Sequence, residues 1–346
     1  MPFFLSSKIR PLYFLIIGIA ILGWMVFLFL TKPSAMNARS VSPVVVAITQ
    51  IAPHPSLDQI RLGIIDTLKP EKLAEEHIAP VEILFQNAQG NMATATQIAK
   101  KFASLLPQVI VPITTPSAQT VYNVAKDMPI PIVFAAVSDP TTAKLVPTSE
   151  NSFITGISDL APVDEQAHLI AEIFKGQISL PVGIVYNPGE ANAVHLVNLI
   201  TEALSEHNIK VVKATASNTT EVAAATQSLM GRVFAIYLPN DNTIISALEA
   251  VLKTAHERKV PVFCSDPESV ERGCLAAIAP DQYAMGQQVG HMIIKILKGQ
   301  DIRTLPIEQA QKNIFVLNLK VATDLGLSIP PALQQKADRL IQPMPQ

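Results

Sequence analysis

The sequence is poor in the residues on which several protein classes depend. It holds two cysteines in 346 residues, too few to staple a small disulfide scaffold, and no Cys/His cluster that would build a structural metal site. Glycine is scarce at 14 residues and the 27 prolines follow no period, which excludes a collagen-like or low-complexity chain. Charged residues make up only 16% and are nearly balanced, 26 basic against 28 acidic, so there is no basic field to hold nucleic acid. Aromatics are 5%, and seven of them, including the single Trp24, fall in the first 30 positions. The rest of the chain therefore offers no evident stacking platform for bases or sugars. Enzyme signatures are missing as well. There is no G-x-G-x-x-G, G-K-S/T, G-x-S-x-G, H-E-x-x-H or C-x-x-C, and the seven histidines are scattered.

What the chain has in excess is apolar residues, at 49%. One block of them, Leu12–Leu30, runs 19 residues without a charge between Lys8 and Arg10 on one side and Lys32 on the other. At about 1.5 Å per helical residue such a block spans roughly the hydrocarbon core of a bilayer. It is longer than the apolar core of a signal peptide, and the cleavage positions after Ala35 or Ala38 are poor, so an uncleaved anchor is expected, with a cleaved signal as the alternative. No cysteine lies nearby to carry a lipid. No second long apolar stretch follows, which predicts one span and then a folded body outside the cytoplasm.

From Ser42 onward, short apolar runs alternate with segments of helical period. The runs Val44–Thr49, Val81–Phe85, Val109–Ile113, Ile130–Val137, Ile154–Ser158, Val182–Tyr186, Lys210–Ala214, Val233–Leu238, Val260–Cys264 and Leu275–Ala279 read as strands. Between them, spacings such as Ala95, Ala99, Phe102, Leu106 and Leu196, Ile200, Leu204 read as helices. Near-continuous apolar strands suit parallel sheets covered on both faces, which predicts an α/β, doubly wound architecture. The pattern is also duplicated. A strand, a polar turn (Thr114–Ser117), a helix and a strand ending in Ser138-Asp139-Pro140 are matched by a strand, Pro239–Thr243, a helix and a strand ending in Ser265-Asp266-Pro267, the two triplets offset by 127 positions. Two similar lobes follow, each with polar residues at the carboxyl ends of its strands, where open α/β sheets bind ligands. Each of these polar segments is also open to a plainer reading as a helix cap or turn.

These residues resemble the ABC-transporter substrate-binding proteins associated with tryptophan and tyrosine uptake, a periplasmic-binding type I fold. The resemblance covers about Val44 to Ile341. It is carried by His54-Pro55-Ser-Leu-Asp58 with Arg61 and Gly63, Thr115-Pro116-Ser117-Ala118-Gln119, Pro131–Phe134 through Asp139-Pro140, Gly156 to Asp159, Tyr186-Asn187-Pro188-Gly189-Glu190-Ala-Asn192, Asp241-Asn242-Thr243, and Asp281-Gln-Tyr283 with Gly286 and Gly290. It implies two lobes joined by a hinge, ligand capture between them, and delivery to a permease and its ATPase at the periplasmic face of the inner membrane. No cofactor, metal or nucleic acid is implied. Members usually carry a cleaved signal or a lipid, so the anchor expected here is a departure.

In such a cleft, an amino-acid carboxylate suits the hydroxyls of Thr115 and Ser117 and the Ala118 amide at a helix start. The ammonium needs acceptors, for which Asp139, Glu190, Asp241 and Asp266 are the candidates. Asn187, Asn192 and Asn242 can donate or accept, Thr243 adds a hydroxyl, and His54 either touches the ligand or is an ordinary loop histidine. The expected crossovers are Thr155–Asp159, Ala279–Tyr283 and a third near Asn313–Leu319. They divide the chain into 1–41 (a cytoplasmic stub, the anchor or signal, and a linker), a first lobe of 42–156 plus 280–310, and a second of 157–279 plus 311–346. The rival readings are an anchored ligand sensor without a transporter and, against the missing phosphate-binding motifs, an anchored two-lobed glycosyltransferase. Cys264 and Cys274 are open to either a disulfide in an oxidising compartment or two buried thiols. The C-terminal run predicts a helix over Ala332–Leu340.

Overall fold

All ten apolar runs are strands, because a segment such as Val109–Ile113, buried at each position, can cover both faces only inside a sheet flanked by helices. The computed structural model describes Trp24 and residues 44–147, 152–176 and 179–343. The first half runs β1 (Val44–Gln50), α1 (Pro55–Thr67), α2 (Pro70–Glu75), β2 (Val81–Asn87), α3 (Met92–Leu105), β3 (Val109–Ile113), α4 (Thr115–Ala125), β4 (Ile132–Ala135) and β5 (Ile154–Ser158). Then come α5 (Val163–Ile173), β6 (Val182–Tyr186), α6 (Ala191–Glu206), β7 (Val211–Thr215), α7 (Val222–Leu229), β8 (Ala235–Leu238), α8 (Asn242–Ser246), α9 (Leu248–His256), β9 (Val262–Cys264), α10 (Pro267–Arg272) and β10 (Ala276–Pro280). The chain ends with α11 (Gln282–Leu297), β11 (Glu308–Gln309), β12 (Asn313–Asn318), α12 (Leu319–Leu325), α13 (Pro331–Lys336) and β13 (Arg339–Ile341).

The strands form two sheets with one repeated order. The first is β2-β1-β3-β4-β5 with β11 at its edge, and the second is β7-β6-β8-β9-β10 extended by β12 and β13. Counted within each lobe, both follow the order 2-1-3-4-5, all parallel, so the sequence duplication is a duplication of topology. In this order the chain switches direction between the first and third strands, which opens a crevice there at the carboxyl edge. That crevice lies between β1 and β3 in one lobe and between β6 and β8 in the other. Each lobe has its own core: Ile48, Phe102, Phe134 and Ile293 belong to the first, Ile200, Tyr237 and Leu317 to the second.

Three connections join the lobes, at 159–162, at Asp281 and at 310–312. They are tied to one another, with Asp281 N donating to Lys312 O (2.8 Å) and Lys312 Nζ to Asp281 Oδ2 (2.7 Å). The third crossing is therefore earlier than expected, because Asn313–Asn318 is itself a strand, antiparallel to β10. Although α11 follows a second-lobe strand, it packs on α1 in the first lobe with almost no side chain between the backbones. A Cβ on Gly286 would sit 2.1 Å from Ile60 O, and one on Gly63 would sit 2.2 Å from Tyr283 O.

The C-terminal helix is shorter than its sequence suggests. It stops at Lys336, and Arg339–Ile341 pairs with the open edge of β12, anchored by Phe315 N donating to Asp338 Oδ2 (2.8 Å) and Asp338 N to Phe315 O (2.9 Å). An unfilled edge offers this segment more hydrogen bonds than a frayed helical turn does. Among the described residues no helix is long and apolar enough to cross a membrane; the expected anchor, Leu12–Leu30, lies outside them apart from Trp24.

Candidate functional site

The carboxyl edges of the two sheets face each other across a narrow, partly open cavity of about 40 Å³. From the first lobe come His54, Ser56 and Leu57 at the start of α1, Thr114 after β3, Ala136 and Ser138 after β4, and Asp159 after β5. From the second come Asn192 on α6, Asn240, Asp241, Asn242 and Ile245 after β8 and Asp266 after β9, and Gln282 joins them from the start of α11, just past the crossing at Asp281. Thr114 (φ 81°) and Ala136 (φ 54°) hold left-handed backbone that non-glycine residues avoid, and both stand on the cavity wall.

The lobes are drawn together. Ser56 Oγ donates to Asp266 Oδ1 (2.6 Å), Asn240 Nδ2 to Asp159 Oδ2 (3.1 Å), and His195 Nδ1 lies 3.4 Å from Asp139 Oδ2 across the rim. Asp159 also accepts from Ser138 Oγ (2.9 Å), and burial pushes its carboxyl above the usual range.

Six of the eleven buried polar side-chain atoms without a protein partner among the described residues lie on this cavity or directly beside it. They are His54 Nδ1, Thr114 Oγ1, Asn192 Oδ1 and Asp266 Oδ2 on its wall, and Thr115 Oγ1 and Ser117 Oγ in the first turn of α4 directly after Thr114. Buried polar groups are nearly always paired, and each unpaired one costs about 1–3 kcal/mol, so these atoms make the cavity the candidate site for a polar ligand. The wall carries the complementary chemistry. Hydroxyls and the N-terminus of an eleven-residue helix favour an anion on the first-lobe side, and the free oxygen of Asp266 favours a cation on the other. Desolvation by burial lowers the His54 pKa, against the pull of Asp266, so its ring is kept neutral and able to accept. Among the described residues no group of three or more His, Cys, Asp or Glu is placed to hold a metal ion.

The twelve residues expected from sequence separate into distinct roles. His54, Asn192, Asp241, Asn242 and Asp266 line the cavity, while Asn187, Glu190 and Thr243 line the wider interlobe opening beside it. Glu190 has no free acceptor. Its Oε2 takes Asn242 N (3.0 Å) and Asn242 Nδ2 (2.6 Å), and its Oε1 takes Thr243 N (2.9 Å) and Thr243 Oγ1 (2.8 Å). Asp241 is engaged as well, accepting from Asn187 N (2.5 Å) and capping α8 through Ile244 N (3.0 Å); burial and then the Glu190 charge push its carboxyl far up. Asn187 bonds Thr243 Oγ1 through Nδ2 (2.9 Å) and Gly189 N through Oδ1 (2.8 Å). These groups shape the second-lobe wall rather than offering it acceptors. Asp139 stands outside the cavity, taking Thr141 N (2.9 Å) and Thr142 N (3.1 Å). Burial pushes its carboxyl up, but the bonds from Thr142 and Thr141 and the nearby His195 leave it below the usual value. The Ala118 amide is spent on Thr114 O (2.9 Å), which leaves the Thr115 and Ser117 positions as the open part of the α4 start.

Ser56, Thr114, Ala136, Ser138, Asp159, Asn240 and Gln282 also line the cavity without having been singled out as contacts. The signal was present for five of them: Thr114, Ser138 and Asn240 belong to the duplicated polar turns, and Asp159 and Gln282 to the expected crossovers.

Known proteins share this architecture. A family model described as ABC transporter substrate binding protein matches residues 45–341. The tyrosine-binding protein of Clostridioides difficile (strain R20291) is 34% identical over 275 residues, covering 79% of this chain and 78% of that protein. Among solved structures, an ABC domain in complex with L-Trp from Streptococcus pneumoniae is 30% identical with a TM-score of 0.80, covering 87% of this chain and 100% of that one. The ligand-free, open structure of a substrate-binding protein with adhesive properties from Clostridium difficile is 34% identical with a TM-score of 0.63, over 85% of this chain and 98% of that one. Shape agrees better with the ligand-bound relative although sequence agrees better with the open one. Rotation of two otherwise similar lobes has that effect, and the interlobe hydrogen bonds put this chain in the closed arrangement.

Proposed function

We propose, from the premise that this chain belongs to the ABC transporter substrate-binding protein family, that it captures an aromatic amino acid between its lobes and delivers it to an importer's permease. The observation that carries this reading is the set of unpaired polar atoms facing one cavity from both lobes. The ligand carboxylate lies against Thr114, Thr115, Ser117 and the start of α4. Its ammonium lies against Asp266 Oδ2, with His54 Nδ1 and Asn192 Oδ1 as further acceptors, and its side chain lies along Leu57, Ala136 and Ile245. A ligand that bridges two lobes binds the closed form better than the open one and so shifts the population toward closure, the form a permease can distinguish. The three crossovers serve as the hinge. The relatives' ligands, tyrosine and L-Trp, support an aromatic side chain. The body acts on the extracytoplasmic side, held to the inner membrane by Leu12–Leu30.

A thermal-shift screen of the body against all amino acids, sugars and nucleosides tests the proposal. L-Trp, L-Tyr or L-Phe is expected to raise Tm; a shift with a sugar or nucleoside and none with an amino acid refutes it. Amino-terminal sequencing of protein isolated from membranes tests the anchor, which a mature start after Ala35 or Ala38 would rule out.

A further inference from the structure

We propose that His195 and Asp139 form a pH-sensitive latch across the cleft rim, which holds the closed form, and with it a bound ligand, more tightly in acid than in mild alkali. The pair is one half of a symmetric arrangement that the duplicated fold creates. Each lobe's Ser-Asp-Pro triplet follows its fourth strand, and the aspartate of each reaches the first helix of the opposite lobe. Asp266 meets Ser56 on α1 (2.6 Å), and Asp139 meets His195 on α6 (3.4 Å). Both aspartates also hold their own turns, Asp266 Oδ1 taking Ser269 N (2.9 Å) and Asp139 Oδ1 taking Thr141 N (2.9 Å) and Thr142 N (3.1 Å). In Asp139 the turn occupies Oδ1 alone, so Oδ2 is the oxygen left for the opposite lobe.

The two halves differ in what a proton does to them. The hydroxyl of Ser56 does not titrate, whereas an imidazole gains a second N–H and a positive charge below about pH 6.5. A neutral ring beside a carboxylate contributes little, and an imidazolium in the same place makes a charge-assisted contact. Asp139 supplies the fixed negative charge. Burial pushes its carboxyl up, but the Thr142 and Thr141 bonds and the nearby His195 leave it below the usual value. Since the two groups stand on different lobes, opening separates them. Closure is therefore favoured while the ring is charged, and it loses that contribution as pH rises through the histidine range.

The surroundings leave this pair to itself. Among the described residues Asp139 is the one acid within ion-pair distance of the His195 ring. Glu190, at the start of the same helix, is engaged by Asn242 and Thr243. The neighbouring α5 carries Asp164, Glu165, His168 and Glu172, of which Asp164 and Glu165 are exposed. His168 pairs with Glu172 (3.6 Å) and stacks on His207 (5.6 Å), about three turns beyond His195 along α6. The strand under α6, β6, brings only Tyr186 as a titratable group, and the turn of Asp139 brings Lys144, which is exposed. The side chains of His195 and Asp139 are 27% and 19% exposed, so the ring exchanges its proton with solvent without the lobes opening.

Calorimetric titration of the full chain with L-Trp and L-Tyr at pH 5.5 and pH 8.0, beside His195→Gln and Asp139→Asn, tests the latch. Asparagine keeps Oδ1 for the turn, and the cleft carboxyls that burial raises, Asp159 and Asp241, are common to all three proteins. The ratio of Kd at pH 8.0 to Kd at pH 5.5 is expected to be about two- to fivefold larger in wild type than in either variant, the weight of one partly exposed ion pair. Equal ratios in the three proteins would overturn the proposal. Ligand capture rests on the function proposed above, whereas the contact itself does not. If no amino acid binds at either pH, that function fails, and the latch is judged in the ligand-free protein by a double-mutant cycle in denaturant. Coupling between the two substitutions at pH 5.5 that vanishes at pH 8.0 supports it, and additive effects at both pH values overturn it.

Discussion

Replacing Asp266 by asparagine separates ligand recognition from scaffolding at one residue. Asp266 Oδ1 is occupied by Ser56 Oγ (2.6 Å) and Ser269 N (2.9 Å), and its Oδ2 is buried without a protein partner. Asparagine keeps an oxygen for the cap and the interlobe bond, so the helix start and the closed contact survive. What is lost is the negative charge, and an amide NH₂ is placed where an ammonium is to be held. A hydrogen bond to a charged group contributes about 1.5–3 kcal/mol, which corresponds to roughly a 10- to 150-fold rise in Kd. The ligand-free protein should lose nothing, because a buried carboxylate without a counter-charge opposes folding. Calorimetric titration with L-Trp and L-Tyr, beside a melting curve without ligand, reads both quantities. An affinity within threefold of wild type would refute the assignment of Asp266 to the ammonium. A ligand-free Tm lowered by many degrees would show that the cap, not the charge, is its contribution.

Two further expectations concern the frame around the site. Gly286→Ala puts a methyl 2.1 Å from Ile60 O, which only a shift of α11 away from α1 can relieve; the cost is at least the 1–3 kcal/mol of overpacking, read as a lower denaturation midpoint at unchanged slope. The Glu268 carboxyl is raised from 4.5 to about 7, by burial first and then by the Asp266 charge. The folded chain thus holds this proton more tightly than the unfolded one, so stability falls as pH rises from about 4.5 to 7, by about 3 kcal/mol in all. Glu268→Gln should remove that slope and be the more stable protein at pH 8; parallel pH profiles of wild type and variant in denaturant titrations would contradict it.

The sequence by itself determined the elements and their duplication. Strands and helices reveal themselves through local periodicity, and Val109–Ile113 or Ala95–Phe102 bury the same residues whatever lies across the sheet. Capping is local too: Asp241, Asp266 and Asp281 each bond a backbone N–H three residues on. The sequence also pointed to the edge where the cavity opens, because polar residues ending apolar strands recur in both halves. It could not tell the four candidate carboxylates apart. Glu190 is exhausted by Asn242 and Thr243, some fifty residues away, whereas Asp266 keeps one oxygen free after meeting Ser56 from 210 residues away. Which acid still has an acceptor to offer depends on partners brought by the fold and by lobe closure. The same holds for β11, two residues long, and for β13, which exists only because β12 leaves an edge open beside it. Local pattern says what each segment can become, and long-range pairing decides which of its polar atoms remain available to a ligand.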